Sequence, residues 1–170
     1  MSLWREIQTK EFKENPFTFI AKEWLLITAG DETKTNAMTA SWGGLGHIWG
    51  KDVAYIVIRP QRYTKEFVDT KGCFSLCCFG SDFRQELAYL GKVSGRNEDK
   101  ITKCGLQLNY DGQKPYFEEA KQVLFCKVLY QQNLTPENFI EKQLDAAMYP
   151  DKDYHTLYVA EIEKIIVKND

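Results

Sequence analysis

Apolar residues along this chain mostly cluster or alternate as they do in β-strands. Runs rich in β-branched, aromatic and cysteine residues predict strands over residues 24–29, 53–58, 73–79, 122–130 and 156–167. Residues 53–58 (VAYIVI) are apolar on both faces, which is typical of a strand that is buried on both sides. The pattern therefore predicts a protein built mainly from strands.

One further strand is predicted over residues 35–42 of the stretch TNAMTASWGG. Alternation places Thr35, Ala37, Thr39 and Ser41 on one face and Asn36, Met38, Ala40 and Trp42 on the other. Backbone groups and short hydroxyls along such a strand could bond a flat polar ligand, and its alanines would allow close approach. The alternative is an ordinary half-buried strand. The glycine-rich residues 43–50 that follow predict a loop, whose spacing does not match a phosphate-binding glycine motif.

Short helices are predicted between the strands from capping signals. Asn15-Pro16 is a helix start, and residues 64–70 form a helix with Gly72 just past its end. A third helix is capped by Ser81 or Asp82 and ends at Gly91. A fourth begins at Thr135-Pro136 and lies around residues 139–144, and Asp111-Gly112 predicts a tight turn.

The order of these elements excludes a regular alternation of strands and helices, and no dinucleotide-binding glycine motif follows the first strand. A mostly antiparallel barrel with helices on its outside fits best. The chain has no repeat and no linker long enough to divide it, so residues 1–170 are expected to form a single domain.

Composition narrows the class of protein. The 22 basic and 24 acidic residues give a net charge of −2 without a basic cluster, so neither nucleic acid nor a membrane is expected as a partner. Residues 1–10 lack a signal-peptide pattern, and a cytoplasmic location is expected. The 5 cysteines lie among aromatic and aliphatic residues, which favours buried thiols, and their spacing is not that of a metal site.

Two segments carry candidate anion-binding groups. In residues 59–64 (RPQRYT), Arg62 and Thr64 lie at a predicted helix start, where free backbone N–H groups favour a phosphate. The alternative is a capping threonine after a surface loop. In residues 94–100 (SGRNEDK), Ser94, Arg96 and Lys100 combine a hydroxyl with two cations, and the alternative is a solvated loop.

His155 begins the last predicted strand, and His47 is the only other histidine. A structural role is the ordinary interpretation of such a histidine. If a redox ligand lay nearby, His155 would be the best proton or nicotinamide contact.

Taken together, four motifs resemble the flavin reductase-like family of FMN-binding split barrels, and its flavoredoxin-type branch in particular. They are residues 36–42 (NAMTASW), 59–64 (RPQRYT), 72–76 (GCFSL) and 155–162 (HTLYVAEI). The resemblance spans about residues 15–167. It implies a homodimeric six-stranded antiparallel split barrel with a few short peripheral helices, which holds FMN without a covalent bond.

The resemblance also implies roles for individual residues. The isoalloxazine and ribityl chain would lie along Asn36, Ala37, Met38, Thr39, Ala40, Ser41 and Trp42. Arg62, Tyr63 and Thr64 would form the phosphate site, which Ser94, Arg96 and Lys100 would complete. His155 would lie near the nicotinamide or the flavin edge as the catalytic residue.

Three functions follow as alternatives. The first is an NAD(P)H-dependent FMN reductase, in which NADH or NADPH gives a hydride to FMN and electrons pass to a partner protein or a small acceptor. The second is a flavoredoxin-like carrier that keeps FMN tightly bound and reacts little with nicotinamides. The third is a non-redox binding module. Relatives often place an acidic residue directly before the histidine, whereas here Tyr154 precedes His155 and Asp153 lies one position earlier.

Overall fold

The computed structural model describes residues 3–169, and antiparallel strands dominate its secondary structure. The strands β1 to β10 are Trp4–Ile7, Leu25–Gly30, Thr35–Ala40, Gly43–Ile48, Lys51–Ile58, Cys73–Cys78, Leu108–Asp111, Lys114–Phe117, Gln122–Asn133 and Thr156–Lys168. The helices α1 to α5 are Pro16–Ala21, Thr64–Lys71, Arg84–Lys92, Lys100–Lys103 and Lys142–Met148. Short 3-10 helices occupy Thr9–Glu11, Ser81–Phe83 and Pro136–Asn138. None of the helices in residues 3–169 has the length and apolar character needed to cross a bilayer.

Eight strands form one antiparallel sheet in the order β3-β2-β6-β9-β10-β5-β4, and β1 pairs with β10. The six strands from β3 to β5 in this order correspond to the predicted six-stranded barrel. Strands β4 and β1 extend it, and β7 and β8 form a separate hairpin whose turn contains Gly112 with φ 59°. The predicted antiparallel arrangement is confirmed.

Two apolar clusters lie on opposite faces of the sheet. One cluster contains Phe74, Cys78 and Tyr158, and the other, below α3 and the β7–β8 hairpin, contains Cys77 and Phe117. Neighbouring Cys77 and Cys78 therefore point to opposite faces, as their alternation in β6 predicts. Burial raises the pKa of both thiols, so they remain protonated and pack as small apolar groups.

The predicted loop over residues 43–50 is wrong, because Gly43–Ile48 is strand β4 at the edge of the sheet. Its glycines allow β4 to lie close against β5. A Cβ atom at Gly43 would lie 2.3 Å from the Tyr55 carbonyl oxygen, and one at Gly46 would lie 3.1 Å from the Tyr55 ring. The turn into β5 consists of Trp49 and Gly50, both with positive φ.

Other element ends differ from the predictions by a few residues. Strand β3 ends at Ala40, two residues before the predicted end, so Ser41 and Trp42 connect it to β4. Gly91 lies inside the last turn of α3 rather than after it. Thr135 precedes a 3-10 helix, and α5 begins only at Lys142.

The predicted cap of the third helix is wrong, because Ser81 and Asp82 lie in a 3-10 helix and Phe83 precedes α3 without a side-chain cap. Two other capping signals act as predicted. The side chain of Asn15 accepts a hydrogen bond of 3.0 Å from the Phe17 N–H at the start of α1. Gly72 ends α2 with φ 63°, the left-handed conformation that glycine adopts without strain. These two signals act over four residues or fewer, which is why the sequence reveals them.

Candidate functional site

A cleft with a volume of about 320 Å³ opens beside the end of β3. Residues from β3, its connection to β4, the end of β5, the segment before α2 and the start of β10 line it: Met38, Thr39, Ala40, Ser41, Trp42, Val57, Arg59, Gln61, Arg62 and His155. Trp42 and His155 lie side by side with ring centroids 5.3 Å apart. This part, the ring end of the cleft, is therefore aromatic and apolar at its sides.

A second cavity of about 180 Å³ adjoins the first, with which it shares Met38, Gln61 and Arg62. Its remaining lining residues come from β3, α2, α4 and the segment after α3: Asn36, Tyr63, Thr64, Lys92, Val93, Ser94, Gly95 and Lys100. The two cavities together form one elongated cleft, and this second part is its cationic end. The sheet order brings the three separate sequence motifs of residues 36–42, 59–64 and 94–100 to this one place.

Lys100 at the cationic end is 3% exposed. Its ammonium group donates hydrogen bonds to the carbonyl oxygens of Leu90 (2.8 Å) and Val93 (2.9 Å) near the end of α3. Burial, and then the charge of Arg62, lower the pKa of Lys100 to about 8. An ammonium group has three N–H donors, so one remains for another acceptor.

Arg62 lies beside Lys100 and donates a hydrogen bond of 2.9 Å to the Gly91 carbonyl oxygen. Burial lowers its pKa, and its Nε atom is buried without a hydrogen-bond partner. Among residues 3–169, neither Arg62 nor Lys100 forms an ion pair. A buried lysine and a partly buried arginine that lie side by side with unused donors favour an anion at this place.

The first turn of α2 faces the same cavity. The helix begins at Thr64, and no side chain caps its N-terminus. Thr64 is therefore the first helical residue rather than the cap, and its buried hydroxyl accepts a hydrogen bond of 2.9 Å from the amide of Asn36. The N–H groups of Lys65 and Glu66 donate to the carbonyl oxygens of Arg62 and Tyr63 at 3.0 and 3.1 Å, so the helix start contributes partial positive charge at the cationic end rather than free donors from these two residues.

Gly95 allows the loop after α3 to close over this cavity. A Cβ atom at this position would lie 2.1 Å from the Asn36 side-chain oxygen, well inside van der Waals contact. The Asn36 amide is held on its other side by Thr64, so it has little freedom to move away. Glycine at position 95 is required by this close approach.

Arg96 lies outside both cavities. Its guanidinium group bonds Glu66 and the Gln61 carbonyl oxygen, and it stacks over the Tyr63 ring at 4.6 Å from the centroid. Its backbone N–H donates to the Ser94 hydroxyl at 3.2 Å. Ser94 and Tyr63 line the cationic end, and Arg96 contacts both of them from the solvent side.

Strand β3 presents its two faces to different parts of the molecule. Asn36, Met38 and Ala40 face the cleft side, whereas Ala37 is fully buried in the cluster below α3. The Thr39 hydroxyl donates to the Leu87 carbonyl oxygen of α3, so this hydroxyl is not free for a ligand. The backbone of residues 38–42 and the Ser41 side chain remain available at the ring end.

His155 is 7% exposed at the ring end. Burial lowers its pKa to about 4, the nearby charge of Arg59 contributes in the same direction, and Asp153 opposes them. The imidazole is therefore neutral at physiological pH. Its Nδ1 atom lies 2.7 Å from the Tyr149 hydroxyl.

The segment between β9 and β10, which we call the arm (residues 134–154), borders the ring end. Asp153 of the arm accepts hydrogen bonds from Arg59 and Gln61 at 2.5 and 2.8 Å, and Arg59 also donates to the Met148 carbonyl oxygen at 3.0 Å. Arg59 and Gln61 lie in a motif that sequence reasoning quoted without assigning them a role. Tyr149 was missed, since nothing local in the sequence marks it, and Asp153 was noted only as the acidic residue two positions before His155.

The cleft thus combines an apolar, aromatic end with a neutral histidine and a cationic end with buried donors. This distribution fits an elongated ligand that has a flat ring system at one end and a phosphate at the other. The unpartnered Nε atom of Arg62 leaves the cationic end with a donor that the protein's own described residues do not use. Within residues 3–169, no group of three or more histidine, cysteine or acidic side chains is arranged to hold a metal ion.

Comparison with known proteins identifies the family of this chain and structures with the same fold. The sequence model of the flavin reductase like domain matches residues 18–170, which is most of the chain. No curated protein matches the sequence.

Solved structures with the same fold include three whose descriptions name flavin proteins. An FMN-binding domain of a flavin reductase-like enzyme from Shewanella baltica has a TM-score of 0.70 at 17% identity, covering 97% of this chain and 77% of that one. The flavoredoxin of Desulfovibrio vulgaris has a TM-score of 0.66 at 22% identity, covering 86% and 69%. The flavoredoxin of Methanosarcina acetivorans has a TM-score of 0.66 at 22% identity, covering 91% and 73%. These likenesses confirm the predicted mainly β split-barrel fold.

Proposed function

Because this chain belongs to the flavin reductase-like domain family, we propose that it is an FMN-binding oxidoreductase of the flavin reductase type. The observation that supports this most directly is the pair of cations formed by partly buried Arg62 and buried Lys100, which have no carboxylate partner within residues 3–169 and have unused donors. A phosphate monoester supplies the missing negative charge and the acceptor oxygens.

In this proposal the phosphate of FMN is held by Arg62 and Lys100, beside the positive N-terminal end of α2. The ring system lies at the other end of the cleft, against the backbone of residues 38–42 and beside Val57 and His155. Bound FMN supplies hydride acceptance and onward electron transfer, which side chains alone do not provide.

The chain's own residues would then bind FMN, orient its ring and shield it. Trp42 and His155 would flank the ring system at the ring end, and Met38 would lie where the two parts of the cleft meet. Neutral His155 can exchange a hydrogen bond with a polar ring edge without placing a positive charge there. In the first form of the proposal, NADH or NADPH gives the hydride, and a partner protein or small molecule accepts the electrons.

The second form, a flavoredoxin-like carrier with tightly held FMN, is favoured by one observation. Arg59, the cation at the ring end, is already paired with Asp153 and bonded to the Met148 carbonyl oxygen. It therefore offers little attraction to the diphosphate of a nicotinamide dinucleotide. Among the described residues, the only other cation lining that cavity is Arg62, which the FMN phosphate would occupy.

Two measurements separate these forms. FMN-loaded protein is mixed anaerobically with NADH or NADPH, and loss of the yellow flavin absorbance is followed. Rapid bleaching by either nucleotide supports a reductase, whereas FMN that survives gel filtration and bleaches slowly supports a carrier. A Kd for FMN weaker than about 10 µM, roughly −7 kcal/mol of binding, argues against a carrier.

The third alternative, a non-redox module, has its own test. Protein that is colourless when purified, and that stays colourless after FMN is added and the excess removed, would reject the proposal as a whole. The visible spectrum of the purified protein is therefore the first measurement to make.

We also propose that the protein is a homodimer that works in the cytoplasm with a redox partner. The proposal of a dimer is supported by an apolar row on the arm, in which Ile140, Leu144 and Met148 are 96%, 49% and 43% exposed. Leu144 and Met148 are four residues apart in α5 and so lie on one side of that helix, and Ile140 lies just before its start. Apolar groups presented in this way mark interaction surfaces more often than isolated exposed residues do.

A further inference from the structure

Tyr149 of the arm is the only described residue that contacts a ring nitrogen of His155 by a hydrogen bond. Its hydroxyl lies 2.7 Å from Nδ1, and the two side chains are 6% and 7% exposed. The Tyr149 ring is held from three sides: Arg59 lies over it at 5.0 Å, Tyr154 stacks on it at 4.9 Å, and Phe139 lies 5.7 Å away. The hydroxyl is thus fixed in place beside the imidazole.

Either group could be the donor in this hydrogen bond, and burial decides between the two arrangements. If Nδ1 carried the proton and donated it, the hydroxyl proton of Tyr149 would be left buried without an acceptor among residues 3–169. If Tyr149 donates, its one proton is satisfied, and the proton on Nε2 is not left buried, because Nε2 is not among the fully buried polar atoms that lack a partner in residues 3–169. An unsatisfied buried donor is the less favourable outcome, and native structures rarely contain one.

Burial also raises the pKa of Tyr149, so the phenol keeps its proton at physiological pH. His155 is neutral in the same range because burial lowers its pKa to about 4. A neutral imidazole has one protonated and one unprotonated nitrogen. With Nδ1 as the acceptor, the proton is on Nε2.

We propose that Tyr149 is a positioning residue, which donates its hydroxyl proton to Nδ1 and so holds neutral His155 with an N–H group on Nε2 for the ring end of the cleft. Within residues 3–169, Nε2 has no hydrogen-bond partner. His155 therefore presents a donor, not an acceptor, to whatever binds there. The ligand class that this arrangement selects has a hydrogen-bond acceptor at the edge of its ring.

The remainder of the inference rests on the proposed function. An oxidised flavin has carbonyl oxygens and unprotonated nitrogens at its ring edge, which are acceptors for an N–H group. FMN and riboflavin share this ring, so a contact from His155 contributes equally to both. The phosphate end, by contrast, distinguishes the two ligands.

The first test measures the position of the proton directly and needs no ligand. The protein is labelled with ¹⁵N, and long-range proton–nitrogen correlation spectra of the imidazole groups distinguish protonated from unprotonated nitrogen. The expected pattern for His155 is an unprotonated Nδ1 that accepts a hydrogen bond and a protonated Nε2. A proton on Nδ1 would overturn the proposal.

Tyr149→Phe and Tyr154→Phe form a matched pair for the second test. Both remove one hydroxyl from the same aromatic group, but the Tyr154 hydroxyl donates to Asp145 at 2.7 Å and does not contact His155. Tyr149→Phe removes a donor that favours the neutral imidazole, so the pKa of His155 should rise. The ratio of charged to neutral imidazole at a given pH should then increase about threefold to tenfold. Tyr154→Phe should leave it unchanged, and equal effects of the two substitutions would contradict the proposal.

The third test uses ligand affinity. Tyr149→Phe should weaken FMN and riboflavin by the same factor, about threefold to tenfold, and Tyr154→Phe should weaken neither. Unchanged affinity for both ligands in Tyr149→Phe would overturn the role in ligand binding. If no flavin binds the native protein, the proposed function fails, while the imidazole spectra still decide the position of the proton.

Discussion

A buried lysine without a carboxylate partner is unfavourable, and Lys100 is stabilised by two carbonyl oxygens near the end of α3. Arg62 uses a third carbonyl oxygen of the same helix end. These contacts explain how two cations can lie together inside the protein. They leave unused one N–H donor of Lys100 and the Nε–H group of Arg62, and those donors are the basis of the proposed phosphate site.

Replacing Arg62 or Lys100 with alanine should weaken FMN far more than riboflavin, because only FMN carries the phosphate. Each charge-assisted hydrogen bond contributes about 1.5–3 kcal/mol, so a loss of about 10- to 100-fold in FMN affinity is expected. Fluorescence titration of both flavins checks this. Arg96→Ala is the control with a small effect, since the Arg96 guanidinium lies outside the cavity. Equal losses for FMN and riboflavin would refute the phosphate assignment.

The pH dependence of FMN affinity should follow Lys100, whose pKa in the free protein is about 8. Above this pH the free protein loses the ammonium charge, so FMN affinity should fall as the pH rises from about 7 to about 9.5. A phosphate dianion favours the charged ammonium, which gives the dependence this sign. Riboflavin affinity should stay constant over the same range, and Lys100→Met should abolish the dependence for FMN. If the FMN affinity of Lys100→Met fell equally over the same pH range, a group other than Lys100 would be the cause of the dependence.

At the scale of the elements, the site forms where β3, the start of α2 and the end of α3 converge. Asn36 of β3 bonds Thr64 of α2, and Gly95 after α3 lies against the same amide. The loop after α3 can lie this close only because position 95 has no side chain.

Gly95→Ala should disturb this convergence, because its Cβ atom would lie 2.1 Å from the Asn36 side-chain oxygen. Displacing Asn36 or the loop should lower the free energy of unfolding by about 1–3 kcal/mol and weaken FMN at least tenfold. Urea unfolding and FMN titration measure the two effects. Gly44→Ala is the matched control, since its nearest contact would be the Tyr55 ring at 3.7 Å. If Gly95→Ala bound FMN with the affinity of the native protein, the close approach of the loop to Asn36 would not be needed for binding.

The arm is a second element whose attachment depends on a few side chains. Asp153 joins it to Arg59 and Gln61, and Tyr149 joins it to His155. These contacts link the arm to the ring end of the cleft rather than to the apolar clusters of the sheet.

Asp153→Ala should loosen the arm without unfolding the sheet. Backbone amides of Lys142–Met148 should exchange with deuterium faster, while those of Thr156–Lys168 keep their protection, because the long β9–β10 ladder is unaffected. Hydrogen-exchange mass spectrometry resolves the two segments. Asp151→Ala, a nearby exposed position, should leave both rates as they are. If exchange in Asp153→Ala matches the native protein, the ion pair does not hold the arm.

At the scale of the whole molecule, the sheet encloses one apolar cluster and carries the other beneath α3. The apolar row of Ile140, Leu144 and Met148 belongs to neither cluster. Its exposure is the reason for proposing an assembly larger than one chain.

If the row lies in a homodimer interface, light scattering after gel filtration should give twice the mass of one chain. Ile140→Glu combined with Leu144→Glu should then produce monomers, since burying two carboxylates at an interface is unfavourable. Phe17→Glu is the control, because Phe17 is 84% exposed on α1 and lies outside the row. A native protein that scatters as a monomer would reject the dimer, and a double variant that stays dimeric would place the interface elsewhere.

An antiparallel barrel and most of its elements could be predicted from sequence because their signals are local, and the resemblance of four motifs to a family implied the split-barrel class. Alternation in β3, the Asn15-Pro16 cap of α1 and Gly72 after α2 act over a few residues. Local chemistry also marked Arg62 and Lys100 as cations near a helix start and a glycine loop. The strand at 43–48 was missed because its glycines resemble a loop until the Tyr55 backbone and ring are seen packed against them.

What the sequence by itself determined is the set of elements and the kinds of side chain available to the cleft. The tertiary structure alone decided which of them meet, since those contacts depend on the order of strands in the sheet. Asn36 and Thr64 are 28 residues apart, and Arg59 and Asp153 are 94 apart, and no local pattern encodes either pair. The same physical reason applies to Arg96, which shares a motif with Lys100 but turns outward to Glu66, and to Tyr149, whose contact with His155 only the folded arm creates.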